Sequence, residues 1–152
     1  MEMLDANETI KVAILGGSVT AGHECAPGQG NVANHTCAWP KRLERMLNTY
    51  YHSSYVKTVN LARGGTPSRA GLTQVMSLQD YDIIIIHWTA NDDNYKKFYK
   101  GDSQLMKPVF ETLIRTALSL PKNPAVILFE GFGFRYRNAE PVAEEMHHEV
   151  AR

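Results

Sequence analysis

No apolar run in this chain approaches the roughly 18 residues that a membrane-crossing helix requires, so no transmembrane span is expected. Neither sign of charge predominates. The 16 Lys+Arg are matched by 16 Asp+Glu, and without a basic excess nucleic acid is not an expected partner. The first residues, Met1-Glu2-Met3-Leu4-Asp5-Ala6-Asn7-Glu8, are acidic and lack the apolar core of a signal peptide. The default expectation is therefore a cytoplasmic protein, with a secretory or luminal parent as the alternative. Cysteine is scarce: Cys25 and Cys37 share one polar loop. Reduced thiols are the default without a leader. A disulfide there would close a short loop and contribute on the order of 3 kcal/mol. The sequons Asn34-His35-Thr36 and Asn7-Glu8-Thr9 lean toward a secretory ancestor.

Other signatures are missing too. Repeats and low-complexity tracts are absent. His148-Glu149-Val150-Ala151-Arg152 fails the H-E-x-x-H pattern at its last residue, and the cysteines lack zinc-type spacing. Gly16-Gly17-Ser18 fits neither G-x-G-x-x-G nor a P-loop. No metal and no cofactor are expected. Thr20 stands where the G-x-S-x-G nucleophile elbow needs its last glycine, which argues against an α/β-hydrolase.

At 152 residues the chain is expected to form a single domain, 1–152, with a real core. Strand and helix signals alternate. Ile10–Leu15, Val56–Leu61, Tyr81–Trp88 and Ala125–Phe129 read as strands. Ile83-Ile84-Ile85-Ile86 is typical of a parallel strand covered on both faces. Trp39–Tyr51 reads as a helix with Trp39, Leu43, Met46, Leu47 and Tyr50 on one face. Arg69–Leu78 reads as a short helix. Pro108–Leu120 follows as a helix with Val109, Leu113, Ala117 and Leu120 buried, and Pro141–Arg152 starts another. Right-handed crossovers then give an α/β fold, a three-layer α/β/α sandwich on a parallel sheet.

Three of these strands end in polar punctuation: Gly17-Ser18, then Asn60-Leu61-Ala62-Arg63-Gly64-Gly65-Thr66, then Trp88-Thr89-Ala90-Asn91-Asp92. In a parallel sheet all C-terminal edges lie on one side, where ligands collect. Ser18, the glycine turn and Asn91 can therefore converge. Attack by Ser18 on an ester carbonyl would place charge on oxygen. The Ser18 N–H, a glycine N–H and the Asn91 amide are the donors available to it. The bland alternatives are a helix-capping Ser18, a plain turn at Gly64-Gly65 and a capping Asn91 with Asp92 as a structural partner. Asp92-Asp93 suits local capping better than acid–base work. His87 suits a satisfied core or rim position, His52 the surface, and Trp39 and Trp88 packing.

The set resembles the SGNH hydrolases, also called GDSL esterases and lipases, in Gly16-Gly17-Ser18-Val19-Thr20, Asn60-Leu61-Ala62-Arg63-Gly64-Gly65 and Thr89-Ala90-Asn91-Asp92. The resemblance runs from Lys11 to about Phe129. It implies a flavodoxin-like sandwich and a serine esterase or deacylase working through an acyl-serine on lipid, simple or carbohydrate acetyl esters. It also implies Ser18 as nucleophile and Ser18, Gly65 and Asn91 as the oxyanion hole. Gly65 is chosen over Gly64 by its offset from Asn60.

Gly17 replaces the family's usual Asp, and Thr89 its usual Gly. The family's Asp-x-x-His motif, which follows a fifth strand, does not occur. This implies a chain incomplete at its C-terminus, either a fragment cut before that strand or a natural short form without a complete triad; in both the last strand is missing and Val126-Ile127-Leu128-Phe129 is left as an apolar edge open to self-association. Glu144-Glu145-Met146-His147 and Glu145-Met146-His147-His148 read as E-x-x-H on a solvated helix face. His23 and His35 are the internal substitutes for the base. The alternative function is a non-catalytic binding module on the same scaffold. A flavodoxin-like nucleotide-binding domain is a third option.

Overall fold

A computed structural model describes residues 8–52, 55–94, 99, 102–130 and 142–151. Asn7 of the first sequon, Pro141 and the Glu144 side chain lie outside the described residues. Four strands form one sheet: β1 (Ile10–Gly16), β2 (Val56–Asn60), β3 (Ile83–His87) and β4 (Ala125–Leu128). All pairings are parallel and the spatial order is β2-β1-β3-β4. From β1 the chain first builds outward to β2, then returns to the other side of β1 to place β3. That reversal opens a crevice beyond the C-terminal ends of β1 and β3, the position where open α/β sheets bind their ligands.

Residue alternation along β1 assigns the two faces. Ala13 and Leu15 join Ile84, Ile86, Trp88, Met106, Phe110 and Leu113 in the larger core. Val12 and Ile14 join Val56 and Ile85 in the smaller one, under Trp39, Leu43 and Leu47. The consecutive isoleucines of β3 thus serve both faces, as a strand between two helical layers must. Helix α2 (Trp39–Tyr50) covers the smaller core, whereas α4 (Met106–Leu118) and α5 (Val142–Val150) lie on the larger side. Two one-turn helices, α1 (Ser18–Ala21) and α3 (Thr89–Asp92), directly follow β1 and β3.

Several expectations are corrected. In α2 the residues at i, i+4 and i+8, Trp39, Leu43 and Leu47, face the sheet, while Met46 and Tyr50 are exposed because they lie beyond the edge of that stripe. The segment expected as a helix over Arg69–Leu78 forms two 3-10 stretches, Ser68–Thr73 and Val75–Ser77. Gly71 lets this backbone run close beneath the core; a Cβ there would lie 2.9 Å from Trp88 and Leu113 carbons. Cys25 and Cys37 form a disulfide with Cα atoms 5.8 Å apart, against the default of free thiols. The bond ties the loop after α1 to the start of α2. No helix among the described residues is long and apolar enough to cross a membrane.

Candidate functional site

The Ser18 turn is held by its neighbours on both sides. A Cβ on Gly16 would overlap the Thr20 hydroxyl and lie 2.7 Å from the His87 carbonyl oxygen, so only glycine lets β1 pass into α1 here. Gly17 N–H donates to His87 O at 3.3 Å. The Thr20 hydroxyl is hydrogen-bonded to His87 Nδ1 at 2.7 Å. The Asn60 amide donates to Thr20 O at 2.7 Å, while Asn60 Oδ1 accepts from Ala62 N. Burial holds the His87 imidazole neutral, with its pKa lowered to about 4; the Glu130 charge opposes this and His147 adds to it. His87 is therefore the satisfied core histidine that the sequence implied. Ser18 does not cap α1: the N-cap is Gly17, with no side-chain cap bond. As the first helical residue, Ser18 has a backbone N–H without an intrahelical acceptor.

The glycine turn and Asn91 approach the same turn from either side. Arg63 N–H donates to Gly16 O at 2.9 Å, which draws the Gly64-Gly65 loop beside the end of β1. Gly65 adopts φ +71 with open space where a Cβ would project, so its conformation rather than crowding calls for glycine. Asn91 lies in α3, and its carboxamide rests against Gly17: a Cβ on that glycine would overlap Asn91 Oδ1 and sit 3.1 Å from Nδ2. Ser18 and Asn91 are half-buried and Gly65 is exposed. The crevice thus gathers a serine and an amide side chain beside an exposed peptide turn, the donor chemistry that suits an oxyanion.

Beneath Asn91 lies a buried ionic cluster that sequence reasoning missed. His147 is 1% exposed and stacks on Phe110, with ring centroids 3.7 Å apart and planes 11° apart. Its Nδ1 donates to Glu130 Oε1 at 2.9 Å and its Nε2 to Asp92 Oδ2 at 3.2 Å. Burial alone would lower the imidazole pKa, but the hydrogen bonds and charges of Asp92 and Glu130 outweigh it and raise it to about 8. Burial likewise opposes ionisation of Glu130, yet the His147 bond and charge and the Thr89 hydroxyl hold its pKa below the usual value. The Thr89 hydroxyl is bonded to Glu130 Oε2. Asp92 Oδ1 accepts from Ser68 N at 2.9 Å. Asp93 Oδ1 accepts from Ala143 N at the start of α5.

The solvated-face expectation for the E-x-x-H segment is therefore corrected for His147. Glu145 and His148 are exposed, but His147 turns inward because α5 packs its other face on α4 and α3. The available signal was the period: Ala143, Met146, His147 and Val150 follow a 3-4 spacing that describes a core-facing stripe. Both His147 nitrogens are occupied, which removes it as a base for Ser18. His23 lies nearer. Its backbone N–H donates to Ser18 O at 3.0 Å, its ring packs on Gly64, and its Nδ1 donates to Asn31 Oδ1 at 2.6 Å. His35 and His52 are exposed. Among the described residues none hydrogen-bonds Ser18 Oγ. Trp88 is buried in the core, as expected of a packing residue. Trp39 also lines a shallow cavity of about 310 Å³ with Val19, His23, Ala38, Arg42 and the disulfide.

No protein-family model matches the chain, and no curated protein sequence matches it. Solved structures do. A two-domain esterase (CEX) active on acetylated mannans superposes with a TM-score of 0.75 at 24% identity, covering 100% of this chain and 37% of that one. AlinE4, an SGNH-hydrolase family esterase, gives 0.59 at 18% identity, covering 95% of this chain and 71% of the other. Axe2, an acetyl xylan esterase from Geobacillus stearothermophilus, gives 0.59 at 18%, again covering 95% and 71%. The chain thus spans little over a third of the length of the mannan esterase. With its parallel β2-β1-β3-β4 sheet between helical layers, the chain has the SGNH-hydrolase fold.

Proposed function

We propose that the protein is an SGNH-type serine esterase or deacylase that cleaves carboxylic esters through an acyl-serine. The observation that carries this reading is the seat of the Asn91 carboxamide against Gly17, one residue before Ser18. On this reading Ser18 Oγ bonds to the acyl carbon while its proton passes to a base. The carbonyl electrons move onto oxygen, which accepts hydrogen bonds from the Ser18 N–H, the Gly65 N–H and Asn91 Nδ2. Collapse breaks the bond to the leaving alkoxide, which takes the proton as an alcohol. Water then hydrolyses the acyl-serine by the reverse sequence of bond changes.

His23 is our candidate for the base. Asn31 fixes its Nδ1 as the protonated nitrogen and leaves Nε2 free as a proton acceptor. The cavity beside Val19 would take the substrate, with Trp39 and His23 as its ring surfaces and Arg42 at its wall. Acetylated polysaccharides are the favoured substrate class, because structural neighbours act on acetylated mannans and acetyl xylan.

The test is hydrolysis of p-nitrophenyl acetate and of acetylated mannan or xylan oligosaccharides. Release that disappears in Ser18→Ala supports the esterase; release indifferent to that substitution removes it. A non-catalytic binding module is the second reading, favoured by the absence of a histidine on Ser18 Oγ among the described residues. It requires glycan binding at the crevice without Ser18-dependent turnover.

A further inference from the structure

We infer that His147, acting with Asp92 and Glu130, is a positioning residue that sets the Asn91 carboxamide and the glycine turn for the acyl transfer proposed above. The inference rests on that reading of Ser18 and Asn91, and it starts from the size of α3. Four residues make a single turn, and an isolated turn is far below the length at which a helix holds itself. Its geometry must come from outside.

Besides the contact of Asn91 with Gly17, the side chains of Thr89 and Asp92 tie the turn to other elements through carboxylates that meet at one ring. Thr89, at the start of α3, is bonded to Glu130 beyond the end of β4. Asp92, at its end, accepts from Ser68 N, three residues after Gly65. His147 joins the two carboxylates, giving one N–H to each. Removing the ring would release Thr89 and Asp92 together, and with Asp92 the Ser68 anchor of the segment that follows the glycine turn. Two of the three oxyanion donors therefore depend on a group that touches neither substrate nor Ser18.

A buried ion cluster is a poor device for stability alone, since desolvation consumes much of its Coulombic gain. Here it is built around the residue next to Asn91, at the side of the larger core that Phe110 and Tyr99 line. Phe110 fixes the plane of the ring by stacking, so His147 can face both carboxylates only in this orientation. The other titratable groups around it are His87 at the end of β3, Asp93 after α3 and Tyr99, whose hydroxyl contacts Asp92 and Ser68. The raised pKa of His147 agrees with a ring that gives a proton to each side.

The experiment is labelling of Ser18 by an alkyl fluorophosphonate, followed by intact mass at several probe concentrations to separate kinact from KI. His147→Gln is expected to lower kinact by about 10-fold or more while KI changes little, because misplacement of a donor by a fraction of an ångström affects the reacting geometry and not the apolar binding. Glu130→Gln keeps the side-chain size and one acceptor, so a smaller fall is expected; it serves if His147→Gln does not fold. Lys107→Ala removes the exposed Lys107–Glu149 contact between α4 and α5 and is expected to leave both constants unchanged. Wild-type kinact in His147→Gln, with Ser18 labelled, overturns the inference and leaves the esterase standing. Failure of the wild type to label overturns the esterase instead. Amide exchange then still judges the clamp: faster exchange at Ser68 and Asn91 in His147→Gln supports it, and unchanged exchange refutes it.

Discussion

Gly17 and Asn91 lie so close that a single methyl group on the glycine would overlap the asparagine carboxamide. The Gly17 backbone is at φ −91 and ψ −154, an extended conformation open to any residue. The constraint is therefore steric contact with Asn91 and not backbone strain. Gly17→Ala should displace the carboxamide and lower the rate of Ser18 phosphonylation by about 10- to 100-fold, the range for loss of an oxyanion donor or its misplacement. Intact-mass kinetics with the fluorophosphonate probe checks this. The Asp that SGNH hydrolases usually carry before the serine would meet the same obstacle here, so Gly17→Asp should also impair labelling in this chain.

The two buried histidines set opposite limbs of a pH–stability curve. His147 has a folded pKa raised to about 8 from 6.5. Its contribution, on the order of 2 kcal/mol, is fully present below pH 6.5 and lost as pH rises through about 8. His87 has a folded pKa lowered to about 4, so the unfolded chain takes up a proton first as pH falls from 6.5 toward 4, at a cost on the order of 3 kcal/mol. Glu130, with its lowered pKa, adds to the loss on the acid side. Thermal unfolding from pH 4 to 9 should peak near neutrality. His147→Gln should flatten the alkaline limb and His87→Gln the acid limb.

The disulfide closes a loop of sequence separation 12 at the cavity wall. Urea denaturation with and without reductant should differ by about 2–3 kcal/mol. The double variant Cys25→Ser with Cys37→Ser should match the reduced protein and lose its response to reductant.

The edge strand β4 and the residue after it carry apolar side chains into solvent, with Ile127 46% and Phe129 44% exposed. Its neighbour on one side is β3, and no strand pairs its other side among the described residues. We propose concentration-dependent self-association through this edge. Light scattering over a dilution series should detect it, and Ile127→Lys should abolish it; a monomer at every concentration would refute it.

The scaffold was legible because its signals are local. The alternation in Val12-Ala13-Ile14-Leu15 and the isoleucines of β3 specify strands and faces, and each strand-end motif falls where its strand stops. Parallel order then brings Ser18 and Asn91 to one rim without further information. The support beneath the rim was not legible. His147 lies 55 residues from Asp92, and nothing in the Glu-Glu-Met-His-His run separates the buried imidazole from its exposed neighbour except helical phase. The 3-10 path over Ser68–Ser77 is hidden in the sequence for a similar reason. Gly71 reads as a weak helix position, whereas its role is a close pass beneath Trp88. The cysteine pairing depended on loop geometry that spacing does not encode.

The most direct test is a crystal structure of the phosphonylated protein. The account predicts phosphorus bonded to Ser18 Oγ and its free oxygen within about 2.7–3.1 Å of Ser18 N, Gly65 N and Asn91 Nδ2. An adduct on another residue, or a Ser18 adduct whose oxygen points away from Asn91 and Gly65, would contradict it.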